Sequence, residues 1–295
     1  MDEQLSILGE EQMPTNRPAV KTQRQKISSG KKSLPQKQGL RALPTLTDFS
    51  LQITDGIKLY FQEQNFKKGV LGLSGGVDSA LTLKLAVDAL GAENITVLIM
   101  PELGLTKQEN IDHAKALAAY FGVMAHYQPI NTFLADYRLT AWKPNSLALM
   151  NAKARVRMTL LYSYANSENA LVLGTSNRSE LLLGYGTKFG DMACDLEVIG
   201  ALYKTEVIAL ADYLGLPPEI THKTPSAELT DGQTDEEELG APYQEMDKVL
   251  MKLNLGTEGC VEHGMPPPLV HKIFKRTEKN KHKTEMPFVI PVQRQ

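Results

Sequence analysis

Residues 74–79 read Ser-Gly-Gly-Val-Asp-Ser, and they concentrate more chemistry than any other segment of the chain. Just before them, Val70, Leu71 and Leu73 form a short apolar run that predicts a buried strand. Just after them, Leu81, Leu85 and Leu90 stand among alanines in a helical pattern. Strand, tight glycine turn and helix start bring main-chain N–H groups to one point, where the helix dipole adds positive potential. That geometry suits a phosphate chain. Gly75 and Gly76 let the backbone approach an anion with no side chain in the way, and Ser74 and Ser79 offer hydroxyl donors. Asp78 is the odd member, since a carboxylate repels phosphate unless a divalent cation lies between them. An N-capped helix after a strand uses similar residue types, but capping does not call for the whole hexapeptide. The segment lacks the Gly-Lys-Ser/Thr ending of a Walker A loop, so positive charge must come from elsewhere.

Further constellations follow in order. Residues 151–157 set Lys153, Arg155 and Arg157 on a segment that also carries apolar Met150, Val156 and Leu160. Cations on a half-buried helix suit anionic ligands, whereas on a solvated face they have no such role. Residues 173–180 repeat the strand, turn and helix plan, with Thr175 in the turn and Glu180 in the helix start. Paired with Asp78, Glu180 becomes a candidate second magnesium ligand, because magnesium takes one or two carboxylates plus phosphate oxygens. Residues 184–195 carry three glycines and several charges, which predicts a mobile loop at an active site. Lys204 opens a helix, where its charge opposes the dipole unless an anion lies nearby. Residues 225–239 form a polar loop leading into an acidic helix start, and His282-Lys283 lies in a basic C-terminal stretch. The remaining histidines show no metal-binding spacing.

These residues need a frame. The pattern predicts helices over residues 49–61, 107–121, 151–166 and 204–214, and strands over 70–73, 95–100, 124–127 and 170–173. Alternation of this kind predicts an α/β fold, a doubly wound parallel sheet with helices on both faces, followed by a helical C-terminal part. Ligands in such sheets sit at the carboxyl ends of the strands, where residues 74–79 and 174–180 would both lie.

The composition is that of a soluble globular chain: 42% hydrophobic, 22% charged and net −2 over 295 residues. Near-neutrality argues against a dedicated nucleic-acid binder. No apolar run approaches the ~20 residues that span a bilayer. The N-terminus has no apolar core of a secretory signal, and its acidic residues weigh against a mitochondrial presequence. Cys194 and Cys260 make neither a disulfide framework nor a zinc pattern. Cytoplasmic localisation is expected, with no nucleic acid and no membrane among the partners. Residues 1–45 differ from the rest: between Arg17 and Arg41 there are eight basic residues and no acidic one. Such a segment cannot bury enough surface to offset its ordering entropy and predicts a disordered basic tail, leaving residues 46–295 as the folded domain. A basic arm touching RNA or membrane is the sharper alternative for that tail.

The loop at 72–79 resembles the pyrophosphate loop of the N-type ATP pyrophosphatases, which cleave ATP between the α and β phosphates and adenylate a carbonyl oxygen. Taken in order, the segments at 72–79, 151–157, 173–180, 184–195, 203–204, 225–239 and 282–283 resemble the NAD synthetase family, from about residue 48 to the C-terminus. The resemblance implies an adenine nucleotide alpha-hydrolase-like fold and ATP-dependent amidation of deamido-NAD by ammonia. It implies that Gly72, Leu73, Ser74, Gly75, Gly76, Val77, Asp78 and Ser79, with Thr175, Lys204 and Ser226, bind ATP. Asp78 and Glu180 would hold Mg²⁺, with Lys204 as the third catalytic residue. Arg155, Lys188, Asp195, His282 and Lys283 would contact deamido-NAD, and the chain would form a homodimer.

Three positions depart from the family pattern. Ser226 stands where threonine is common and keeps the hydroxyl; Cys194 replaces a small residue; Thr284 replaces a basic one. No amidase domain precedes the loop and neither cysteine has glutaminase surroundings, so ammonia is the expected nitrogen donor. Alternatives are another amidating or tRNA-modifying pyrophosphatase, a non-catalytic nucleotide-binding subunit, or a synthetase fed by a separate glutaminase chain.

Overall fold

The computed structural model describes residues 45–138, 140–224 and 234–293. The expectations for the N-terminal tail, for Ser226 and for most of the polar loop after Thr224 lie outside the described residues.

The chain opens with α1 (Leu46–Gln64), β1 (Lys68–Gly72) and α2 (Val77–Leu90). Next come β2 (Ile95–Ile99), α3 (Gln108–Phe121), β3 (Met124–Tyr127) and α4 (Asn131–Ala135). Then follow α5 (Ser146–Glu168), β4 (Ala170–Gly174), α6 (Arg178–Leu183), β5 (Leu196–Glu197), α7 (Lys204–Tyr213) and α8 (Pro218–Thr221). The C-terminal part is helical: α9 (Asp235–Leu239), α10 (Tyr243–Leu250), α11 (Gly256–Glu262) and α12 (Pro267–Asn280). Among the described residues, no helix is long and apolar enough to cross a membrane.

All five strands are parallel, in the order β3-β2-β1-β4-β5. The winding reverses between β1 and β4, and this opens the crevice at their carboxyl ends. Strand side chains alternate between two cores. Leu71, Leu73, Ile95, Val97, Ile99, Leu171 and Leu173 face a core shared with α1, α2, α3 and α7. Val70, Leu98, Val172 and Ala170 face a second core with α5. Strands buried on both faces read as the continuous apolar runs seen in the sequence. Truncating one such side chain, as in Leu71→Ala, is of the kind that costs ~2–5 kcal/mol. A third core gathers Leu183, Leu239, Tyr243, Met246 and Val270 and fixes the C-terminal helices to α6.

Two of the differences from expectation have a clear physical cause. Helix α5 starts at Ser146 rather than at residue 151, because Asn145 caps it by accepting from the Ala148 N–H. Strand β5 is two residues long, too short to carry a periodic signal, and forms only because its neighbour β4 offers the register Leu173 to Leu196.

Candidate active site

The turn after β1 is built largely from its own backbone. The Ser74 and Ser79 hydroxyls lie 3.0 Å apart, Ser74 Oγ accepts from the Gly76 N–H, and Ser79 Oγ donates to the Gly76 carbonyl. Both hydroxyls therefore help to shape the loop. Gly75 has φ +85°, and a Cβ there would lie 2.3 Å from the Asn110 carbonyl oxygen at the start of α3. Gly76 N-caps α2 with no side-chain cap, so the first N–H groups of that helix stay available to an anion.

Three charged side chains converge beside this helix start. Lys204, at the first position of α7, has a side chain only 2% exposed. Its ammonium donates to Asp78 Oδ2 and lies 3.8 Å from Glu180 Oε1. Asp78 Oδ1 also accepts from Asn177 Nδ2 at 2.9 Å. Asn177 in turn caps α6: its side chain accepts from the Glu180 N–H, and Glu180 Oε2 accepts from the Asn177 N–H. This reciprocal cap fixes the Glu180 carboxylate in the site. The anions that justify Lys204 at a helix start are thus the two carboxylates.

Electrostatics inside the trio are unequal. Burial alone would push the Lys204 ammonium down, but Asp78 and Glu180 outweigh it and hold the group above the usual lysine range. Burial, and then the Asp78 charge, push the Glu180 carboxyl well above the usual carboxylate range, against the opposing pull of Lys204. Two carboxylates against one ammonium leave a negative surplus, which a divalent cation would relieve. Among the described residues no group of three or more His, Cys, Asp or Glu gathers as a metal site. Two carboxylates with the remaining ligands from phosphate and water suit magnesium rather than zinc.

The trio opens onto a cavity of about 490 Å³ that Thr175, Arg157, Lys223, Arg276 and Lys283 also line. The expected dinucleotide residues divide. Lys283 lines the cavity and donates to the Gly184 and Gly186 carbonyls at 2.9 and 3.0 Å. Burial first, and then Arg276, push its ammonium down. Arg155, Lys188 and His282 meet outside that lining: Arg155 donates to the Lys188 carbonyl, and Lys188 Nζ donates to the His282 and Glu285 carbonyls. Asp195 is tied to the Val172 N–H at 2.7 Å and the Tyr162 hydroxyl at 3.2 Å, fastening β4 to the segment ahead of β5. Of the other cations on α5, Lys153 pairs with Glu102 at 2.6 Å, and Arg157 Nε donates to the Met100 carbonyl. Residues 184–195 are irregular, as expected, and are anchored by Thr187 Oγ1 on Asn151 Oδ1.

Some participants carry no assigned role in the sequence reading. Asn177 was readable, since Asn-x-x-Glu is a capping pattern. Asp247 of α10 was not: it accepts from Ser179 Oγ, Thr205 N–H and Thr205 Oγ1, locking α6 and α7 together beneath Lys204. Burial pushes the Tyr243 and Tyr185 phenols up, and both hydroxyls donate to Asp235.

Comparison with known proteins agrees with this geometry. An NH(3)-dependent NAD(+) synthetase of Wolinella succinogenes is 43% identical over 244 residues, covering 82% of this chain and 94% of that protein. The NH(3)-dependent NAD(+) synthetase of Methanocaldococcus jannaschii is 42% identical over 243 residues, covering 80% and 93%. Among solved structures, an NH3-dependent NAD synthetase from Campylobacter jejuni, in complex with nitrate, superposes with a TM-score of 0.73 at 33% identity. It covers 84% of this chain and 100% of that one. An NMN synthetase from Francisella tularensis gives the same TM-score at 30% identity, covering 84% and 99%. Residues 50–287 match the NAD synthase family model, and with these relatives they make the chain a member of the NAD synthase family.

Proposed function

We propose that this chain amidates deamido-NAD to NAD, consuming ATP and ammonia and releasing AMP and pyrophosphate. The observation that carries the reading is the trio of buried Lys204 with half-buried Asp78 and Glu180, beside the uncapped start of α2 and facing one cavity at the reversal of the sheet. A carboxylate resists acyl transfer because oxide is a poor leaving group. The nicotinate carboxylate oxygen attacks the α-phosphorus of ATP; the bond from that phosphorus to the bridging oxygen breaks, and its electron pair leaves with pyrophosphate. Ammonia then attacks the acyl carbon, the bond to AMP breaks, and a proton is lost. Residues 72–79, Thr175 and Ser226 are assigned to ATP. The N–H groups at the start of α2 stabilise charge on the departing phosphates, and Lys204 holds Asp78 and Glu180 in place. Those two carboxylates would hold Mg²⁺, which when bound offsets negative charge on the phosphates.

Arg155, Lys188, Asp195, His282 and Lys283 are assigned to deamido-NAD. Arg155 and Lys188 form an outer cation cluster suited to its pyrophosphate, and Lys283 lies further in. A homodimer belongs to the same proposal. All four residues of the edge strand β3 are exposed, and Met124, Tyr127, Phe133, Trp142 and Leu147 present apolar surface on that strand and in the segments after it. Sedimentation of the purified chain at twice its monomer mass is the expected result. Cytoplasmic residence is part of the same reading.

The deciding measurement is turnover with ATP, magnesium, ammonium and deamido-NAD, with products resolved by chromatography. AMP, pyrophosphate and NAD in equal amounts are expected; ADP as the stoichiometric product overturns the reading. Likeness to an NMN synthetase makes nicotinate mononucleotide the comparison substrate, and a higher kcat/KM for it would reassign the acyl acceptor. Glutamine in place of ammonium should support negligible turnover.

A further inference from the structure

Residues 74–79 contain no lysine, and the cation offered in its place, Lys204, is already engaged by Asp78 and Glu180. A polyphosphate at the start of α2 therefore meets N–H groups and a trio whose only ammonium is neutralised twice over. Lys223 meets this deficit. It follows His222, the C-cap of α8, and lines the same cavity as Gly76, Val77 and Asp78. Its Nζ is shielded from solvent yet has no hydrogen-bond partner among the described residues. Burying an ammonium without an acceptor is heavily penalised, so such a group invites an anion. Its backbone is held in place, because Ile220 and Thr221 just before it are buried and α8 packs against α2 and α7.

We propose that Lys223 binds the β and γ phosphates of ATP and remains on the pyrophosphate after the bond to the α-phosphorus breaks. The assignment rests on the ATP reading above. It divides two tasks that a Walker lysine combines: Lys204 organises the carboxylates, and Lys223 faces the leaving group.

The test is calorimetric titration of the full chain with magnesium pyrophosphate and with ATP, alongside steady-state kinetics, for wild type, K223M and K223R. Loss of one charge-assisted contact predicts pyrophosphate binding ~10–100-fold weaker in K223M. KM for ATP should rise in parallel while KM for deamido-NAD stays within ~2-fold, and K223R should regain most of the loss. A merely structural role would weaken both substrates together and lower the melting temperature, and that result overturns the assignment. Equal pyrophosphate binding by wild type and folded K223M overturns it alone. Wild-type protein that binds neither ATP nor pyrophosphate overturns the ATP reading as well. Should K223M fail to fold, K223Q replaces it in the same comparison with K223R.

Discussion

Two regions of this molecule hold the cations assigned to its substrates, and they satisfy them in opposite ways. At the carboxyl ends of β1 and β4, Lys204 is buried and shared between two carboxylates, each held by Asn177. On the outer rim, Arg155 and Lys188 are satisfied by main-chain carbonyls at Lys188, His282 and Glu285. The inner arrangement is a set of mutually dependent charges, each costly to leave alone in a low dielectric. The outer one keeps full positive charge, because a carbonyl solvates a cation without neutralising it. An incoming anion can replace a carbonyl at the rim at little structural cost. At the trio, nothing can be exchanged without moving the sheet's neighbouring helices.

This contrast predicts a gradation of effects. Removing the shared cation should be the most damaging change: Lys204→Met is expected to lower turnover by at least ~10²-fold and to destabilise the fold by ~3–5 kcal/mol. Adding Asp78→Asn should recover part of the melting temperature and none of the activity. If K204M alone melts like wild type, the trio is not the interdependent unit described here. Replacing Glu180 or Asp78 by Ala should also cost ~10²-fold in turnover, but with a smaller loss of stability, since a carboxylate surplus is relieved rather than created. Near-normal rates at ordinary magnesium would remove that residue from the site.

The rim should respond differently. Lys188→Ala or Arg155→Ala should raise KM for deamido-NAD by ~10-fold and leave kcat and melting temperature nearly unchanged. A drop of many degrees on either substitution would mean the rim cations are structural, and the contrast would fail. A pH dependence with no effect on turnover sharpens the inner rule. Glu197 is a buried carboxyl near Cys194 with one oxygen, Oε1, lacking any hydrogen-bond partner among the described residues, and no lysine serves it. Burial pushes it up to about 7. A raised acid binds its proton more tightly folded than unfolded, so its contribution to stability is present below about 4.5 and lost as pH rises through about 7. Glu197→Gln should flatten that fall, by at most roughly 3 kcal/mol across the window. Denaturant melts from pH 4.5 to 8 give the answer, and parallel curves for the two proteins would rule Glu197 out as the titrating group.

The inner trio was legible because each member sits within a few residues of a strand end, where turn chemistry and helix starts leave local marks. The sheet was legible for a related reason: strands buried on both faces must be apolar throughout, whatever the partner. The invisible parts depend on contacts distant in sequence. Asp247 reaches Ser179 and Thr205 across 68 and 42 positions, and nothing in its own neighbours hints at it. Lys153 looked as available to a ligand as Arg155, and only the folded chain sets Glu102 against it. Lys223 is the converse case, unremarkable in sequence and conspicuous for having no acceptor among the described residues.

Gly75 brings together two independent prohibitions. A side chain there would be strained by its positive φ, by about 1–2 kcal/mol. It would also strike the Asn110 carbonyl, which is main chain and cannot rotate aside. Relieving one leaves the other, so no second mutation elsewhere restores the loop in a single step. The alphabet at this position has one letter, and the turn after β1 inherits its shape from the main chain of a neighbouring helix start.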